Sequence, residues 1–127
     1  MKAGPRSLDP VWGVMPKAAQ ARARRALKAL DKLPVSRQFG TATGLSMARA
    51  IAAGKEVDMR KVSHFFPRWR RRIEVREAAK LTPMDDKIVG ASDLWGGPAG
   101  DRASLRAVER VDRARAKKKT RKVVSIG

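Results

Sequence analysis

The feature that most narrows what this chain can fold into is its charge: 30 Lys and Arg stand against 12 Asp and Glu in 127 residues, a formal net charge of +18. Self-repulsion of that size opposes compaction, so the excess must stay off the core and be offered to a partner. It is unevenly placed. Residues 1–39 carry nine cationic and two acidic side chains (net +7), residues 40–101 eleven and eight (net +3), and residues 102–127 ten and two (net +8). A nearly balanced middle between two basic ends predicts a folded centre with basic arms that meet an anionic partner. Nucleic acid, an acidic protein surface and an anionic membrane are the candidates.

The length suits one domain, since a second core would have too little chain to bury. The chain has no cysteine, which excludes disulfide scaffolds, zinc sites with cysteine ligands and thiol nucleophiles. A membrane-spanning helix needs about 20 apolar residues in a row. Apolar runs such as Ala50-Ile51-Ala52-Ala53 are far shorter, so a soluble chain without a membrane span is expected, and of the anionic candidates the membrane is not carried forward as a partner. Met1-Lys2-Ala3-Gly4-Pro5-Arg6 is followed by no continuous apolar stretch, and cytoplasmic synthesis without a secretory signal is expected.

Periodicity divides the rest. Pro5, Pro10 and Pro16 with Gly4 and Gly13 forbid a sustained helix, so residues 1–16 read as an extended arm, with Val11, Trp12, Val14 and Met15 as a segment that docks. Ala19, Ala23, Ala26, Leu27 and Leu30 recur at helical spacing, which predicts an amphipathic helix over 17–32. A second helix is expected over 45–53 with Gly54 at its end. Asp58 then caps a run in which Met59, Val62, Phe66, Trp69 and Ile73 form a seam. Pro67 predicts a kink there, or two helices over 58–66 and 67–80. Thr82-Pro83-Met84-Asp85 has the capping-box pattern and predicts a short helix over 83–95. The Gly96–Gly100 turn precedes a last helix over 101–118. The expected fold is all-α, a small bundle of four to five short helices with extended basic N- and C-terminal arms. Its helical domain covers 17–118, with a central unit at 40–100, and a basic tail occupies 119–127.

Three stretches carry a resemblance. Gly44-Leu45-Ser46-Met47-Ala48-Arg49-Ala50-Ile51-Ala52-Ala53-Gly54, then Phe65-Phe66-Pro67-Arg68, then Asp93-Leu94-Trp95-Gly96-Gly97-Pro98-Ala99-Gly100 resemble a small helical domain of tailed-bacteriophage proteins, often near head-morphogenesis functions. About half of the chain is involved. Trp69 stands where that family has histidine, Pro98 where it has aspartate, and a basic segment from Arg70 to Lys80 replaces a shorter link. The resemblance implies a phage setting, a helical fold and head or connector proteins as partners. No catalytic residue carries over from it.

Three basic constellations are candidate anion contacts. At about 100° per residue, Arg102, Arg106, Arg110, Arg113 and Lys117 fall within about 80° of one another, opposite Leu105, Val108 and Val111. Such a stripe can follow a row of duplex phosphates, and it continues into Lys118, Lys119, Arg121 and Lys122. Arg68, Arg70, Arg71 and Arg72 surround Trp69, a set able to clamp phosphates or stack on a ring. Arg22, Arg24, Arg25 and Lys28 form the third group. Phe65, Phe66, Trp69 and Trp95 are expected in the core. Asp85 and Asp86 read as acids of a first helical turn, and His64 forms no triad with Ser63 or Ser46 that spacing selects. No catalytic residue, metal, cofactor or small-molecule substrate is expected.

The function expected is that of a non-enzymatic head-associated virion protein, docked on capsid or connector protein and touching non-specific double-stranded DNA or acidic surfaces through its basic parts. The alternative is a cytosolic phage DNA-binding or host-takeover regulator. For that alternative the helix after Asp58 lacks a polar base-reading face.

Overall fold

An alanine-rich helix, α1 (Lys17–Lys32), forms the centre of the fold and buries Ala19, Ala23, Ala26 and Ala29. Methyl side chains at that spacing let neighbouring helices approach closely, and α1 packs chiefly on three of them: α2 (Ala42–Ala52), α4 (Lys87–Leu94) and α5 (Gly97–Ile126). The fourth neighbour in the bundle, α3 (Met59–Ala78), packs along α5. The computed structural model describes residues 9–126, with side chains through Lys118. The side chains of Lys119, Arg121 and Lys122, and all of residues 1–8, lie outside that description. The described part is a small all-α domain of five helices with one two-stranded sheet.

That sheet gives the second half of the expected arm its place. β1 (Trp12–Val14) pairs antiparallel with β2 (Glu56–Asp58), Trp12 opposite Asp58 and Val14 opposite Glu56. Val11 and Met15, on either side of β1, are buried in the core. The segment therefore docks on its own domain. Asp58 is the joint: one carboxylate oxygen accepts from the Val11 N–H at 3.0 Å and from the Arg60 N–H at 3.0 Å, capping α3.

Three expected boundaries are corrected. Pro67 neither ends nor divides its helix, and α3 runs unbroken from Met59 to Ala78. Proline removes one backbone hydrogen bond, but Val62, Phe66 and Ile73 are buried on both sides of it, and packing of that seam outweighs the missing bond. The capping box forms, with the Thr82 N–H donating to Asp85 Oδ2 at 2.9 Å and the Met84 N–H to Thr82 Oγ1 at 3.2 Å. It closes a turn, however, and α4 starts at Lys87 because Asp86 accepts from the Ile88 and Val89 N–H groups at 2.8 and 3.1 Å. The last helix begins at Gly97 rather than 101, since Pro98 fits a first turn. Its backbone stays helical through Ile126, so it is neither short nor followed at 119 by an extended tail.

Two chain ends of helices are closed differently. After α2 the Lys55 N–H reaches the Ala50 carbonyl and the Gly54 N–H the Ile51 carbonyl, both at 3.0 Å, the pattern for which glycine is suited. After α3 the same position is held by Lys80 at φ +59, with the Leu81 N–H bonded to the Arg76 carbonyl at 3.1 Å. A left-handed lysine is strained where glycine is not. Lys80→Gly is expected to raise stability by about 0.5–1 kcal/mol. Chemical denaturation would show it, and a lower midpoint at equal slope would contradict it.

One buried cation fastens three segments. Arg60 is 5% exposed; its Nε donates to the Asp9 carbonyl at 2.6 Å, and its Nη atoms donate to the two Asp112 oxygens at 3.0 and 3.3 Å. The chain before β1, α3 and α5 meet on that guanidinium. Its hydrogen bonds hold the Asp112 carboxyl below the usual carboxylate range.

Candidate nucleic-acid interface

The inward face of α5 carries Asp101 and Ser104, both buried, and partly buried Val108 and Val111. Helical geometry then turns Arg102, Arg106, Arg110, Arg113 and Lys117 outward, and all five are exposed. Over the 15 helical steps from Arg102 to Lys117 the row extends about 22 Å. Among the described residues none of the five forms an ion pair with a carboxylate. Asp112, one of the two acids on this helix segment, turns away to Arg60. Glu109 remains exposed near the row. The result is a one-sided line of solvated cations with donors free for phosphate or carboxylate oxygens.

The other two basic constellations are divided by the fold. Arg22 grips Glu77 through two bonds of 2.6 and 2.9 Å and reaches Asp93 at 3.2 Å. Arg25 Nε meets the other Asp93 oxygen at 2.6 Å. Arg70 makes a two-pronged pair with Asp101, both bonds 2.8 Å. These three guanidiniums hold helices together. The pKa of Arg22 is raised by its Glu77 hydrogen bonds and by Asp93, and that of Arg70 by Asp101. Arg24 donates to the Ala52 carbonyl at 3.1 Å, while Lys28, Arg68, Arg71 and Arg72 are exposed. Arg72 lies over the Trp69 ring, 5.4 Å from its centroid.

Asp93, the carboxylate between Arg22 and Arg25, has no exposed surface. Burial pushes its carboxyl above the usual range, against the opposing pull of Arg25 and Arg22. Neither Asp93 nor Arg60 was marked by spacing. The signal available was weak: an acid inside the apolar stretch Val89 to Leu94, and an arginine beside the seam residue Met59. Of the expected core aromatics, Phe66 is 1% exposed, and Phe65, Trp69 and Trp95 pack partly buried against the core. Phe65 stacks on Trp95 with centroids 5.1 Å apart and meets Phe66 edge-on at 5.0 Å.

Fold and surface together define a small helical domain with one face of its longest helix left as a basic row. Among the described residues, no group of three or more His, Cys, Asp or Glu side chains is placed to hold a metal, and no helix is long and apolar enough to cross a membrane. Comparison with protein-family models, curated proteins and solved structures gives no match.

Proposed function

We propose that this chain is a non-enzymatic, head-associated protein of a bacteriophage virion, which docks on capsid or connector protein through its helical body and contacts packaged DNA through α5. The phage setting rests on the resemblance of residues 44–54, 65–68 and 93–100. The DNA contact rests on one observation: the exposed row Arg102, Arg106, Arg110, Arg113 and Lys117, without carboxylate partners among the described residues. Such a row neutralises phosphates without reading bases, because its side chains reach the strand backbone and release counterions. Sequence-specific readout by the helix after Asp58 has little support, since Met59, Val62 and Phe66 are turned into the core.

The test is a set of four exchanges, Arg102→Gln, Arg106→Gln, Arg110→Gln and Arg113→Gln, made together. Glutamine is a good helix former, and the buried face of α5 is untouched, so the fold should survive. The slope of log K against log salt on a random duplex is expected to fall by about 0.9 for each phosphate that the row no longer neutralises. An unchanged slope in a folded variant would assign the row to an acidic protein surface instead. Detection in lysates but never in purified particles would overturn the virion assignment.

A further inference from the structure

Away from α5, the segment before α2, the middle of α3 and helix α4 enclose an open cavity of about 430 Å³. Its wall holds four aromatic side chains, Phe39, Phe65, Trp69 and Trp95, with Ile88 and Leu94 beside them. Rings at two places are fixed before any ligand arrives. A β-carbon at Gly90 would sit 2.5 Å from Phe39 Cδ2, so the Phe39 ring lies directly on the backbone of α4. Trp95 is held by its stack on Phe65. Rotation of these side chains cannot simply fill the space, and an aromatic cavity of this size is suited to a flat ring.

Charge defines the rest of the ligand. Lys87 lines the cavity and is exposed. Arg68 and Arg72 are not lining residues themselves; helical spacing puts them three and seven residues after Phe65, on the side of α3 that supplies Phe65 and Trp69 to the wall, and Arg72 lies over the Trp69 ring. Among the described residues these three cations have no carboxylate partner, and no acidic residue lines the cavity. An uncharged apolar ligand would leave Lys87 unused, and an anion without a ring would leave the aromatic side chains of the wall unused.

We propose that this cavity binds a nucleotide, its base between the aromatic side chains and its phosphate at Lys87, Arg68 and Arg72. The base comes either from a free mononucleotide or from an unpaired position of a nucleic-acid strand. The site is separate from the α5 row and stands without it, since duplex phosphates engage that row and a paired, stacked base cannot enter here.

Calorimetric titration of the full chain with adenosine 5′-monophosphate, adenosine, inorganic phosphate, a short single-stranded oligonucleotide and the matching duplex tests this. Saturable binding of the mononucleotide, or of the single strand alone, is expected. In the first case adenosine and phosphate should each bind about tenfold more weakly or worse; in the second the ligand is a strand. Ala91→Phe, which projects a ring into the cavity from α4, is expected to weaken that binding about tenfold or more. Lys87→Glu, an exposed change that leaves the core intact, should weaken it about fivefold and keep the variant folded. The four α5 exchanges should leave mononucleotide binding unchanged while lowering duplex binding. Absence of binding by both mononucleotide and single strand overturns the proposal. Equal binding by wild type and Lys87→Glu does so too, even if Ala91→Phe fails to fold.

Discussion

Replacing Asp93 by alanine is expected to lower the stability of the domain by about 3 kcal/mol. The reasoning starts from where the charge sits. Asp93 has no exposed surface, and its two oxygens are taken by Arg22 and Arg25. Such a pair adds little relative to a well-packed apolar substitute, because desolvating both charges offsets their attraction. Removing one partner alone is different, since the other is stranded. Arg25 already has a buried Nη2 without a hydrogen-bond partner, and removal of Asp93 would take its remaining ion pair. Two features keep the effect near the lower end of the usual range. Arg22 retains Glu77, and the side chains of Arg22 and Arg25 are 30% and 38% exposed, so water can reach them. For a domain of this size the change corresponds to a melting-temperature drop of about 10 °C or more. A shift below about 2 °C would mean that the carboxylate is dispensable and that α1 and α4 are held by their apolar contacts alone.

Gly100→Ala is expected to destabilise by a similar amount, about 3 kcal/mol, at the upper end for an overpacked site. In an ordinary helix interior the same exchange stabilises by about 1 kcal/mol, because alanine loses less backbone freedom on folding. Here the sign reverses. The added β-carbon would press on the Trp95 carbonyl oxygen, a backbone atom that cannot swing aside like the tip of a lysine. Gly96, one residue on, is at φ +97 and accepts the Gly100 N–H at 3.0 Å, so the corner between α4 and α5 is already tightly specified. Moving Trp95 would also disturb its stack on Phe65. Urea denaturation of the variant measures the effect, and a midpoint equal to or above that of the wild type would show that the corner relaxes freely.

What the amino-acid order reveals depends on how far apart the interacting groups are. The span 17–32 was legible because Pro16 and a 3–4 repeat of alanines are local signals, and the helix occupies that span. Asp58 was legible as a cap for the same reason. Pro67 misled, because its local penalty is set against a seam whose partner, α5, begins 30 residues further along. The pairing of β1 with β2 joins residues 46 apart at Trp12 and Asp58 and leaves no pattern in either three-residue strand. Charge was legible in amount and poorly in destination. Arg22, Arg25 and Arg70 look like Arg102 and Arg106 in sequence, yet Asp93 and Asp101 lie 31–71 positions away from the first three. The α5 row is the exception, since helical phase alone separates its cations from Leu105, Val108 and Val111. The aromatic cavity had no signature, as Phe39, Trp69 and Trp95 come from three separate segments.

The outward row of α5 has a consequence for the helix that bears it. Arg106 and Arg110, Arg110 and Arg113, and Arg113 and Lys117 are neighbours three or four positions apart, and like charges at that spacing weaken a helix by a few tenths of a kcal/mol per pair. From Asp112 to Lys118 most side chains are exposed, so little burial compensates this repulsion. A polyanion lying along the row cancels it. For an anion bound there, helix stability and affinity would be linked: a change that firms the helix without altering or screening its charge would tighten the grip on the anion, and by reciprocity the anion would firm the helix to the same extent. High salt, which screens the repulsion and competes with the anion, pulls stability and affinity in opposite directions.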